Sequence, residues 1–116
     1  MINAKDELKS ILPKQTLAEN DGYTIKCAKI EKRDSKYWGD DYTETVYEHI
    51  LPTGYSPQQW DEFWNGIDFE YNAGYGQQEL FGNVWFYGPS WLERSEYDGS
   101  EWWVLRELPT IPNELL

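Results

Sequence analysis

Apolar positions along the chain follow first a helical and then a strand-like rhythm. Ala4, Leu8, Ile11 and Leu12 fall at i, i+4, i+7 and i+8, one face of a helix over residues 4–12. Asn3 is placed to cap that helix, Asp6 and Glu7 suit the positive end of its dipole, and Pro13 ends it. A helix this short is not stable alone and has to dock on something. Asn20-Asp21-Gly22 predicts a turn. Residues 23–32 then read as a strand, with Tyr23, Ile25 and Cys27 on one face and Lys26 on the other. Residues 33–41 are polar, contain Gly39, and are expected to form a loop, although its Tyr37-Trp38 pair is unusual for a hairpin tip. Residues 42–51 have good strand propensity in Thr43, Thr45, Val46, Tyr47 and Ile50, and Pro52 and Gly54 close them.

The clearest local signal follows. Ser56-Pro57-Gln58-Gln59 is a capping box with proline at the first helical position. Trp60, Phe63, Trp64 and Ile67 continue at i, i+3, i+4 and i+7, and Asn65-Gly66 is a stop signal, which predicts a helix over residues 57–65. Residues 68–78 are expected to be a loop. Strands are expected at 79–87, 91–97 and 101–107, joined by Gly88-Pro89 and by Asp98-Gly99, a strong hairpin signal. Pro109 and Pro112 mark a non-regular tail. The order α-β-β-α-β-β-β predicts a single α+β domain over residues 1–116. Its antiparallel sheet has about five strands, with two short helices on one face.

Charge changes this picture. Eight of the ten Lys and Arg residues lie in the first 36 positions, and only Arg94 and Arg106 follow. The last 80 residues carry fifteen carboxylates, all seven Trp and eight of the nine Tyr, and the whole chain has a net charge of -11. Disordered acidic chains are poor in aromatics, so this one is expected to fold. Net negative charge disfavours nucleic acid backbones and anionic membranes. The basic segment (Lys26, Lys29, Lys32, Arg33, Lys36) is interspersed with Glu31 and Asp34 and reads as an ordinary strand surface. The start does not resemble a signal peptide, and no apolar run approaches the roughly 20 residues that span a bilayer. A soluble, cytoplasmic protein is expected.

Little of the sequence points to catalysis. Cys27 is the only cysteine and reads as a small buried hydrophobe. His49, the only histidine, lies in a predicted strand and reads as a surface or hydrogen-bonded structural residue. No phosphate loop, dinucleotide fingerprint or histidine-containing metal spacing is present, so no cofactor or metal is expected. Glu93, Glu96, Asp98 and Glu101 cluster around the last turn without the spacing of a calcium loop, and read as a solvated acidic hairpin. A carboxylate pair for glycosidic cleavage remains a third, hydrolytic reading.

The aromatics divide by position. Trp60, Phe63, Trp64 and Ile67 read as core. Adjacent strand residues point to opposite faces. In Trp102-Trp103, and in Trp85-Phe86, one member is therefore core and the other must find separate cover. Exposed Trp and Tyr are enriched at interaction hot spots. The candidate partner-binding residues are Glu93, Glu96, Asp98, Glu101, Trp102 and Trp103, with Tyr37 and Trp38. Further candidate acidic groups are Glu44, Glu48, Asp61, Glu62, Asp68 and Glu70.

The run Trp91-Leu92-Glu93-Arg94-Ser95-Glu96-Tyr97-Asp98-Gly99-Ser100-Glu101-Trp102-Trp103, closed by Pro109-Thr110-Ile111-Pro112, resembles a C-terminal signature of small phage and prophage proteins. Gly82-Asn83-Val84-Trp85-Phe86 fits the same style, and the likeness covers roughly the last 35 residues. The resemblance implies a mobile-element origin, where small acidic proteins block host defence nucleases, and it transfers no catalytic residues. The expectation is a non-enzymatic phage-type protein that binds a basic host protein, such as a CRISPR effector or restriction enzyme, and occludes its nucleic-acid site without binding nucleic acid itself. Acidity for solubility alone, and an aromatic-rich module for a peptide or carbohydrate, are the alternatives.

Overall fold

Five antiparallel strands form the main sheet of the computed structural model, which describes residues 1–12, 24–74 and 77–116, and of Lys36, Tyr37, Trp38 and Asp41 the backbone only. The elements are β1 (Ile2–Asn3), α1 (Ala4–Ile11), β2 (Ile25–Trp38), β3 (Asp41–Leu51), α2 (Pro57–Gly66), β4 (Glu70–Tyr71), β5 (Leu80–Phe86), β6 (Ser90–Tyr97) and β7 (Ser100–Glu107). The sheet order is β3-β2-β5-β6-β7, while β1 and β4 form a separate two-stranded ribbon. This is the expected α+β architecture. The predicted turn at Asn20-Asp21-Gly22, the stop at Pro13 and the strand start at Tyr23 lie outside the described residues.

The helices form where their caps direct. Asn3 accepts a hydrogen bond from the Asp6 amide, and Ser56 and Gln59 close a reciprocal capping box. Helix α2 carries the chain from β3, at one edge, to β5 on the far side of β2. Both helices bury side chains against one sheet face: Ala4 and Leu8 from α1, and Phe63 and Trp64 from α2, join Ala28, Ile30, Val84, Leu92 and Trp103. Trp64 meets Phe63 and Trp60 edge-on, and Trp60 stacks on Tyr55, whose hydroxyl donates to the Ile25 carbonyl.

Two expectations are corrected, besides that of a loop over residues 68–78, within which Glu70–Tyr71 forms β4 against β1. Residues 33–41 are not a loop. They are the end of β2, a two-residue turn at Gly39-Asp40 and the first residue of β3, paired from Arg33↔Val46 to Trp38↔Asp41. Gly39 supplies the positive φ that the first position of such a hairpin turn requires. The second correction concerns Cys27. A register shift between Ile25 and Cys27 breaks the alternation, so Ile25 is buried in the core while Cys27 is half-buried and pairs with Trp85 on the opposite face.

Strand β5 pairs with β2 only as far as Lys32↔Leu80. Beyond that point the β2–β3 hairpin continues for about 15 Å as a two-stranded arm, with no third strand beside it among the described residues. The extents, 59 × 38 × 22 Å, and the radius of gyration of 16.7 Å reflect this arm and the exposed C-terminal tail. A compact chain of about 100 residues has a radius near 13 Å.

Candidate interaction site

The C-terminal hairpin is built around a buried ion pair. The Arg94 guanidinium donates to Glu101 Oε1 at 2.6 Å, to the Tyr71 hydroxyl at 2.9 Å, to Glu7 Oε1 at 3.3 Å and to the Leu80 carbonyl at 3.3 Å. It also lies over the Trp103 ring, 4.9 Å from its centroid. The Glu101 carboxylate accepts from the backbone amides of Glu79 and Leu80, and its own amide donates to the Ala73 carbonyl. Glu101 is 4% exposed and Trp103 7%. These two expected partner-binding residues are therefore scaffold: they tie α1, β4, β5, β6 and β7 together and offer an incoming protein nothing. The Tyr71 hydroxyl donates to Glu7, and burial, reinforced by that carboxylate, pushes its pKa well up.

The other acidic candidates scatter. Glu93 holds Arg106 and the Trp91 indole N–H. Glu96 accepts from the Gly99 amide, and Asp98 occupies the turn with φ 51°. The four carboxylates around this turn do not converge. Among the described residues no group of three or more His, Cys, Asp or Glu side chains is placed to hold a metal ion.

Strand direction points the remaining acids toward one end of the sheet, with Asp40 at the tip of the arm beyond Glu96 and Asp98. β2 runs outward to its turn, β5 runs antiparallel to β2, and β6 runs outward again, so both hairpin turns project from the same end of the sheet. Exposed Asp40 and Glu44 on the arm, and Glu96 and Asp98 on the shorter hairpin, share that end. Tyr97, 75% exposed, and Tyr42 sit among them. Tyr37 and Trp38 belong to the arm by backbone, but the orientation of their side chains lies outside the described residues.

The second face of the sheet has no covering element among the described residues. Trp85 and Trp91 lie directly opposite each other there, with Trp85 43% exposed, and Trp102 is 42% exposed further along β7. Thus Trp102 and Trp85 are the uncovered members of their pairs, and Trp103 and Phe86 the core members. Charges on this face are paired: Lys29 with Glu31 and Glu48, Arg33 with Glu31, and Arg106 with Glu93. The Arg33 hydrogen bond lowers the Glu31 pKa. Exposed tryptophan therefore lies on the open face, while exposed tyrosine and carboxylate share the hairpin end.

A groove of 530 Å³ lies on the helical side at the base of the arm, between Tyr47 and His49 of β3, Lys32 and Asp34 of β2, and the β1–β4 ribbon. Lys32 bridges Asp34 and Glu79. Burial opposes its charge, but the two carboxylates outweigh that, and its pKa is raised. The His49 ring lies 5.9 Å from Phe69 and against Gly66, where an added Cβ would come within 2.7 Å of Nδ1. Burial lowers its pKa, so the imidazole is neutral near pH 7. It is a half-buried residue wedged between elements, not the solvent-facing or hydrogen-bonded one expected. Sequence reasoning did not find this groove, because the residues that build it come from five separate segments.

No helix among the described residues is long and apolar enough to cross a membrane. Comparison of the chain with protein-family models, curated proteins and solved structures returns no match.

Proposed function

We propose that this protein is a non-enzymatic acidic binding protein that docks on a basic protein surface and occludes a nucleic-acid site there. The observation that carries the reading is the common direction of the two hairpins, which points Asp40, Glu44, Glu96 and Asp98, staggered along the arm, toward one end of a chain with net charge -11. Carboxylates fixed on paired strands meet a cationic channel without further ordering, and the net charge steers the encounter. Tyr42 and Tyr97 at the same end add apolar contact that salt does not screen. The C-terminal likeness to small phage and prophage proteins favours a host defence target that acts on nucleic acid, such as a CRISPR effector or a restriction enzyme.

The test is displacement of labelled duplex DNA from such enzymes. The protein is expected to release DNA at low ionic strength and to lose this effect steeply as salt rises. Reversing Asp40, Glu44, Glu96 and Asp98 to Lys removes it, whereas reversing Asp6, Asp61, Glu107 and Glu114 does not. Equal loss in both sets reduces the effect to bulk acidity and ends the proposal.

A second reading rests on Trp85 opposite Trp91 on the charge-paired open face, a surface suited to stacking on a peptide or carbohydrate. It predicts binding that barely responds to salt and disappears in Trp85→Ala.

A further inference from the structure

Strand β3 is a terminal strand of the sheet, eleven residues long, and its outer row of backbone N–H and C=O groups has no strand partner among the described residues. Proteins blunt such edges with Lys, Pro, bulges or a covering element. Asp41–Leu51 contains no Lys, Arg or Pro, and its register with β2 runs unbroken from Ala28↔Leu51 to Trp38↔Asp41. Its charges are all negative apart from the neutral His49: Asp41, Glu44 and Glu48. Val46, Tyr47 and Ile50 are exposed beside them.

Two depressions flank this edge on its helical side. One of 250 Å³ lies between β3 and α2, with Phe63 for its apolar part and Glu62 and Gln59 on its wall. The other is the 530 Å³ groove, with Tyr47, Phe69 and Tyr71 for its apolar part and Glu70 on its wall, Asp34 there being already paired with Lys32. Both include His49, so they lie in series along the strand. A strand laid against β3 would turn alternate side chains toward these depressions and the others toward Glu44 and Val46. A Lys or Arg stem suits an apolar floor, and its head suits a carboxylate wall.

We propose that the β3 edge is the docking site for an extended segment of the partner protein bearing Lys or Arg at alternate positions, added to the sheet as a further strand. This rests on the reading that the partner is basic, and supplies its binding mode: main-chain hydrogen bonds give affinity and flanking pockets give specificity. A second copy of this chain is the wrong occupant, because two such edges would bring Glu44 and Glu48 of both copies together.

The test uses the full chain at low salt and a capped peptide of alternating Lys and Val, with amide hydrogen exchange and tryptophan fluorescence as readouts. The peptide is expected to bind and to slow exchange across residues 42–50. The same peptide N-methylated at alternate residues, on either of its two edges in turn, keeps every charge. In one of the two forms it is expected to bind about tenfold more weakly or worse, because its backbone donors are gone. Equal affinity of all three peptides, with steep salt dependence, overturns strand addition and leaves acidic docking standing. Absence of binding by any of them overturns both. A concentration-dependent dimer that protects β3 without peptide assigns the edge to a second copy and overturns the proposal.

Discussion

The β2–β3 and β6–β7 hairpins both carry carboxylates and aromatic residues, turn through two-residue loops and point to the same end of the sheet. They use these ingredients differently. In β6–β7 a carboxylate and a tryptophan fold inward onto Arg94, and the hairpin is fixed to β4 and α1 through Tyr71 and Glu7. In the arm, residues 42–48 are all exposed, and nothing beyond its own partner strand holds its outer half among the described residues. A two-stranded ribbon is marginal on its own, so the arm persists because its base is clamped where Lys32 bridges Asp34 and Glu79. Composition alone does not separate scaffold from contact surface; the presence of a buried cation does.

The largest expected effect comes from breaking the anchored hairpin. Glu101→Leu removes the shorter of the two ion pairs of buried Arg94, leaving only Glu7 at 3.3 Å, and strips the amides of Glu79 and Leu80 of their acceptor. Losing one member of a buried pair costs about 3–5 kcal/mol. Urea unfolding should register that drop, while Glu96→Leu, directly opposite Glu101 but exposed, should change little. Equal midpoints for the two variants would abolish the distinction between the hairpins.

Next comes the adjacent tryptophan pair. Trp103→Ala opens a cavity beside Arg94 and should cost about 3–5 kcal/mol. Trp102→Ala removes a side chain that is 42% exposed, and should fall well short of that. Its effect belongs in binding, if the open face is used. Thermal melts of the two variants test the sheet orientation directly, since a one-residue slip in β7 would exchange their roles.

Much of this was legible. The capping box at Ser56 and the Asp98-Gly99 turn are local signals, and local chemistry decides them. The β2 half of the arm was not legible, because Asp34 and Ser35 lie in a ribbon with no third layer and no hydrophobic alternation marks them as strand, whereas the strand propensity of residues 42–51 did mark β3. The Cys27 face depended on a bulge that no residue pattern announces. The burial of Glu101 had a readable signal. A two-residue turn at Asp98-Gly99 sets Glu96 opposite Glu101, two like charges, and sets Arg94 one step diagonal to Glu101 on the same face. With only two cations in the last 80 residues, that diagonal pair was the place to expect a buried bridge.

A smaller effect concerns the groove between the arm and the rest of the molecule. The His49 pKa is lowered by burial, so the unfolded chain takes up a proton near pH 6.5 that the folded chain still refuses. Stability from this residue is complete above that pH and is lost as pH falls from about 6.5 through the lower folded value. The wild-type unfolding midpoint should therefore decline between pH 7 and pH 5 more steeply than that of His49→Gln. Parallel curves would mean that His49 is not held between Phe69 and Gly66 as described.

The smallest effect belongs to the outer half of the arm, and there a small number is the informative result. Tyr42→Ala removes an exposed ring whose hydroxyl lies 3.2 Å from Ser35 Oγ. Surface substitutions of this kind usually stay within about 0.5 kcal/mol. If global stability holds while amide exchange in residues 33–46 speeds up, the arm opens locally and independently of the clamped hairpin. A loss near that of Glu101→Leu would instead make the arm part of the same cooperative unit, and the two hairpins would differ only in exposure.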